Sequence, residues 1–476
     1  MLTQSDLPMQ QRLGYKGGLF LMFLLLANTT WSYGQEILTY SDFLTWVREF
    51  HPIAKQGDLT IELGRQELRM ARGGFDPILY GDQNEKNYNN TQYYNKREAG
   101  IVVPTMAGVE FKGTFEQNAG VYLNRENTVP QVGLLAAGAS INLGEGLFID
   151  RRRAALRQAQ IFANATDEER KFLLNSLYLD ATFAYWDWAK AYANLEVFQE
   201  GVSLAEIRFE AIKSSFEFGD LPAIDTVEAY TQVLNRMIRL QNAENVFFAK
   251  TQELNVFLWD EDETPIFLNE GTVPVGLTEG PVDLVDITEY REVLPSHPEI
   301  RLLDYDLEFL DVDRRWKVEQ LKPIVKLNYN FLSESVTPIE TGAFFQNDYK
   351  WGITISTPLL LRRERGSLGV TKAKINMTRY KRDLSVQKLL ATLEKEYNTF
   401  LVLGQQQTTF DENIKGLERL LEGEKIRFDQ GESSLFLINA REVALFDALV
   451  VLNSINADKK IAVSKVRVAA GLGFEE

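Results

Sequence analysis

Few residues in this chain could do chemistry, and most of those have a structural reading. His51 and His297 are the only imidazoles, and there is no cysteine, so thiolate ligands and disulfides are excluded. Two histidines could share a metal or divide acid and base roles. Each is followed by a proline, however, at Pro52 and Pro298. Proline at the first helical position has the required φ and lacks an N–H that would be orphaned there, so each pair predicts a helix start. Asp311 and Asp313 could work as a general acid and base, but on a predicted helix they read as solvated surface. Tyr185, Trp186 and Trp188 could form a stacking platform, yet Trp188 falls on an apolar seam and so predicts core packing. Arg151, Arg152, Arg153 and Arg157, with Arg362, Arg363 and Arg365, could grip phosphate. Lys+Arg total 51 against 67 Asp+Glu, a net charge of -16, which excludes a general nucleic-acid binder. These clusters predict cations that anchor at a membrane–water boundary or pair with acidic neighbours. With no nucleotide loop, metal-ligand pattern or nucleophile–base pair, the sequence predicts no enzyme, no catalytic residue, no metal, no cofactor and no nucleic-acid partner.

The elements that carry these residues follow from pattern. The 476 residues are 45% hydrophobic and 25% charged, ordinary globular usage. Lys16, the apolar run Leu19 to Ala27 and the small residues Ser32 and Gly34 predict a signal peptide over 1–34. The run is too short for a spanning helix, which needs ~20 residues. The His-Pro pairs lie 246 residues apart, and that spacing also places Asp58 on Asp304, Arg69 on Arg315 and Pro77 on Pro323. Further on, a spacing of 212 places Phe216 on Phe428 and Gly219 on Gly431. The chain therefore reads as a duplication, 35–270 and 271–476. The first copy carries 34 extra residues, assigned to an additional hairpin about 96–130.

Apolar residues from Leu174 through Trp188 to Phe216 recur in steps of three and four, a sustained coiled-coil seam. The shifted seam, Val386 to Phe428, is interrupted by Glu396, Gln407 and Glu424. Rods over 148–216 and 362–428 are predicted, each roughly 100 Å long at 1.5 Å per residue. Each ends at a glycine turn and returns as a shorter helix, 224–258 or 435–469. Ahead of the second rod, Val325, Leu327, Tyr329 and Phe331 alternate with polar residues, as do Tyr349, Trp351, Ile353 and Ile355. Period two with an aromatic-rich apolar face fits a strand with lipid on one side and water on the other. Counterparts near 77–86 and 132–143 are less clean, and Val109, Phe111 and Phe115 alternate within the insert.

A signal peptide followed by two copies of strands, long helix, glycine tip and return helix resembles the TolC-like outer-membrane efflux proteins of Gram-negative bacteria. The resemblance implies a mixed α and β fold in which membrane β-barrel strands join long antiparallel coiled-coil helices forming an α-barrel. It also implies a homotrimer in the outer membrane that extends into the periplasm, serving a tripartite efflux or type I secretion system. Implied partners are a periplasmic adaptor (membrane fusion) protein, an inner-membrane pump of RND, ABC or MFS type and outer-membrane lipid. Independently, two strand pairs cannot close a pore and open edges are not tolerated in lipid. Three chains would supply twelve core strands. Whether the extra hairpin joins that wall stays open at this point.

By the same resemblance the adaptor-contacting tips are Gly219, Asp220, Leu221 and Pro222, then Gly431, Glu432, Ser433 and Ser434. The periplasmic gate comprises Asp225, Phe428, Leu437 and Ala440. Phe428 stands where the family usually has tyrosine, and Ser433 where a latch arginine can occur. Leu437 and Ala440 replace the two aspartates that form acidic rings. The competing reading is a periplasmic or surface coiled-coil scaffold without a pore.

Overall fold

The computed structural model describes residues 36–269, 271–279, 284–334 and 348–473; the signal-peptide reading lies outside them. The chain opens with β1 (Ile37–Leu38), α1 (Tyr40–Phe50) and α2 (Pro52–Gly73). Four strands follow, β2 (Ile78–Tyr88), β3 (Thr91–Pro104), β4 (Val109–Ala119) and β5 (Leu134–Asn142), and then the 67-residue helix α3 (Arg151–Glu217) and its return, α4 (Ala223–Asn255). The second run consists of β6 (Val273–Pro274), α5 (Ile287–Val293), α6 (Pro298–Glu319), β7 (Ile324–Ser333), β8 (Tyr349–Ser356), the 68-residue α7 (Arg362–Asp429) and α8 (Leu435–Ala469).

Both histidines start helices, as their prolines predict. His51 Nδ1 accepts from Ile53 N–H at 3.2 Å and His297 Nδ1 from Glu299 N–H at 3.1 Å, and both rings are buried. The long helices pack as antiparallel pairs, α3 with α4 and α7 with α8, while α2 lies along α3 and α6 lies between α3 and α7. The main core gathers around α3. Trp188 and Tyr185 are wholly buried with Phe43 and Leu254, and the Trp188 indole donates to Thr251 at 3.1 Å. The aromatic cluster is thus core, as the seam implies. The polar interruptions of the second seam reach α8. Gln407 bonds Asn456 at 2.8 Å and accepts from Lys459 at 2.9 Å, Glu396 faces Lys465 at 3.9 Å, and Glu424 faces Arg441 at 3.7 Å.

Six strands form one open antiparallel sheet in the order β2-β3-β4-β5-β7-β8. They comprise the four expected core strands, β2, β5, β7 and β8, and two more between β2 and β5. The extra hairpin is β3–β4, beginning at Thr91 rather than near 96. Asn89 and Asn90 both hold positive φ, 53° and 59°, the two-residue turn that suits strand twist. They fold β3 straight back onto β2, with Tyr88 opposite Thr91.

Candidate functional site: the sheet faces and the helical tips

Strand register sorts the side chains into two faces. Opposite one another across five strands lie Val103, Phe111, Ala139, Tyr329 and Trp351. The neighbouring row on the other face reads Val102, Lys112, Gly138, Asn330 and Lys350. Because successive residues of a strand point to opposite faces, the sheet has one apolar and one polar side. Trp351, Ile353 and Ile355 are exposed in the single chain. On the polar side Tyr80 donates to Glu98 at 2.6 Å, and the Lys112 ammonium lies 3.3 Å from the same carboxylate oxygen.

The basic clusters sit where strand meets helix. Arg153 pairs with Asp150 at 3.0 Å, and Arg152 with Glu110 of β4 at 2.6 Å. Arg362, Arg363 and Arg365 open α7 and are exposed. Asp311 pairs with Arg314 and Arg315, each at 2.7 Å, which makes it a surface ion-pair group rather than half of an acid–base dyad. Among the described residues no group of acids and histidines could hold a metal, and no helix is long and apolar enough to cross a membrane.

The far ends of α3 and α7 close in the same way. Gly219 (φ +85°) donates to Phe216 O at 2.9 Å and Asp220 N–H to Ser215 O at 2.9 Å. At the second tip Gly431 (φ +77°) donates to Phe428 O at 2.9 Å and Glu432 N–H to Arg427 O at 2.8 Å. These bond pairs are the glycine-capped helix ending that satisfies otherwise orphaned carbonyls. Pro222 and Ser434 then occupy the N-cap positions of α4 and α8, and neither makes a side-chain cap bond. Leu221 and Phe428 turn inward and pack with Ile212, Ala229 and Leu435, holding the two tips together. Ser433 donates to the buried Glu424 at 2.5 Å. Gly219, Asp220, Gly431, Glu432 and Ser434 remain exposed, and Asp225 is half-exposed in the first turn of α4. Leu437 and Ala440 lie exposed one turn apart on α8.

A buried charge cluster just above the tips went unread in the sequence. Glu442 of α8 is buried and takes bonds from two guanidiniums, Arg208 of α3 (Nη1 to Oε2, 2.8 Å) and Arg236 of α4 (Nη2 to Oε2, 2.5 Å). Arg236 also donates to Gly201 O at 2.9 Å. Burial alone would raise the Glu442 carboxyl, but the two arginines outweigh it and hold it below the ordinary carboxylate range. A signal existed. Leu435, Ile438, Glu442 and Phe446 form one buried stripe of α8, and a lone glutamate within such a stripe needs a partner.

No protein-family model matches the sequence, and no curated protein matches it. Solved structures do match in fold. The outer membrane protein VceC of Vibrio cholerae is 13% identical with a TM-score of 0.64, covering 91% of this chain and 96% of that one. The Campylobacter jejuni CmeC outer membrane channel is 13% identical with a TM-score of 0.63, covering 98% and 95%. The open state of the Neisseria gonorrhoeae MtrE outer membrane channel is 14% identical with a TM-score of 0.62, covering 90% and 88%. Long helical hairpins carrying a two-faced sheet, matched over nine-tenths of the chain, give this protein the fold of these solved outer-membrane channels.

Proposed function

We propose that the chain is one subunit of a homotrimeric outer-membrane channel. In this reading it exports substrates across periplasm and outer membrane as the exit duct of a tripartite efflux or type I secretion system. The observation that carries the reading is the open, two-faced sheet at one end of the 67- and 68-residue helices. An open edge cannot lie in hydrocarbon, because its N–H and C=O groups would go unbonded. Further copies of the chain satisfy both edges, with the apolar face toward lipid and the polar face lining a pore. The long helices then extend roughly 100 Å from the membrane base into the periplasm, as an α-barrel.

In the same reading the chain is a duplication, 35–270 and 271–476, preceded by a signal peptide that routes it out of the cytoplasm. The tips Gly219–Pro222 and Gly431–Ser434 dock a periplasmic adaptor, which couples them to an inner-membrane pump. Asp225, Phe428, Leu437 and Ala440 shape the entrance. The role is transport and not catalysis. A scaffold without a pore would leave the apolar face of the sheet with no partner. The test is the native mass of the detergent-extracted protein, together with its migration before and after heating. A folded trimer that dissociates only on heating is expected; a folded monomer or dimer overturns the reading.

A further inference from the structure

The β3–β4 hairpin sits inside the sheet, between the edge strand β2 and β5. Its outward residues continue rows begun by the other strands. Ile101 stands opposite Leu79 and Gly113, and Phe111 opposite Val103 and Ala139. Its base is fixed to the root of α3. Arg152 donates to Glu110 at 2.6 Å, and a Cβ on Gly108 would lie 2.9 Å from Arg153 Nη2. Removing the hairpin from the wall would therefore take β2 with it. All five pairings are antiparallel, so the two edge strands, β2 and β8, run in opposite directions. One copy's β8 can then pair with the next copy's β2 and keep the alternation unbroken around a closed ring.

Resting on the trimeric duct reading, the geometry points to an outlet of eighteen strands, six from each copy, with β3–β4 as full members of its wall. Phe111 and Ile101 face lipid, and Lys112, Lys326 and Lys350 face the lumen. Barrel diameter grows roughly in proportion to strand number, and barrels of about this size leave an aqueous channel where eight strands are filled by side chains. This outlet is about half again as wide as one built from twelve strands.

The chain lacks cysteine, so one introduced thiol labels a single site. Phe111→Cys and Lys112→Cys on β4, with Tyr329→Cys and Asn330→Cys on β7 as references, would carry an environment-sensitive fluorophore. The labelled trimers would be reconstituted in phosphatidylcholine vesicles and quenched by tail-nitroxide lipid or by aqueous iodide. The Phe111 and Tyr329 sites should be quenched several-fold more strongly by the nitroxide lipid, and the Lys112 and Asn330 sites by iodide. If β7 alternates while both β4 sites answer to iodide, the hairpin lies outside the wall and the proposal falls while the duct reading stands. If β7 also fails to alternate, both fall. Strand count in electron cryomicroscopy of the unsubstituted trimer gives an independent answer: eighteen is expected, and twelve overturns the proposal.

Discussion

Arg236 of the first return helix donates to the buried carboxylate of Glu442 on the second, across 2.5 Å. With Arg208 donating to the same carboxylate, one group ties α3, α4 and α8 together just above the tips. Breaking a buried ion pair by removing one partner costs about 3–5 kcal/mol, because the remaining charge is left uncompensated. Glu442→Ala should lower the thermal unfolding midpoint and expose the tip region to limited proteolysis. An unchanged midpoint and digestion pattern would show that the cluster holds nothing.

Acid should loosen the same clasp. Glu442 is held below its ordinary value of 4.5. Its contribution is therefore present above that value and lost as pH falls through the depressed folded value. A stability profile of the intact protein should fall more steeply below about pH 4.5 than that of Glu442→Gln. Parallel profiles would refute the assignment.

The two histidines predict a separate loss at milder pH. An accepting Nδ1 means that each ring is neutral, and in His297 the proton sits on Nε2, which donates to Val468 O at 3.2 Å. Burial holds both below the ordinary value of 6.5. The cap contribution is therefore complete above the unfolded value and erodes as pH falls through the folded one. Losing a helix cap costs about 0.5–2 kcal/mol. His51→Asn and His297→Asn keep an acceptor that does not titrate, so the double variant should flatten the stability profile between about pH 7 and 5. An unaltered slope would place that loss elsewhere.

At the tips, nothing lies within 4 Å of a Cβ added to Gly219 or Gly431, so any penalty is conformational rather than a clash. Left-handed backbone costs a residue with a Cβ roughly 1–2 kcal/mol. Gly219→Leu or Gly431→Leu should leave trimers in the outer membrane but abolish export, because the altered turn no longer presents the proposed adaptor-docking surface. Full export from both variants would reject the tips as the docking surface.

How much of this was legible depended on the range of the interaction. Helix starts at Pro52 and Pro298, the ends of α3 and α7 and the strand alternation are local, set by caps, glycines and period. Leu435 and Ala469 bound α8 where the pattern placed them. The hairpin's start was missed because the turn is made by Asn89 and Asn90, which reach positive φ without glycine. The joining of the two halves into one sheet was not legible, since the β5–β7 pairing brings together residues far apart in sequence, such as Ala139 and Tyr329. The Arg208–Glu442–Arg236 cluster was missed for the same reason, because it is made by three helices.

The entrance prediction turns on what α8 presents. Glu442 and Asn439 are buried and bonded to Arg208, so neither can line an opening, whereas Leu437 and Ala440 are exposed. Three copies would then bring apolar residues together at that level, with Asp225 the remaining half-exposed carboxylate of the proposed gate. Converging carboxylates bind multivalent cations because several charges meet where little water screens them. Single-channel conductance should be only weakly blocked by a trivalent cation added from the periplasmic side, and Leu437→Asp should create strong block. Strong block of the unsubstituted channel that persists in Asp225→Ala would show that acids outside this set form the constriction.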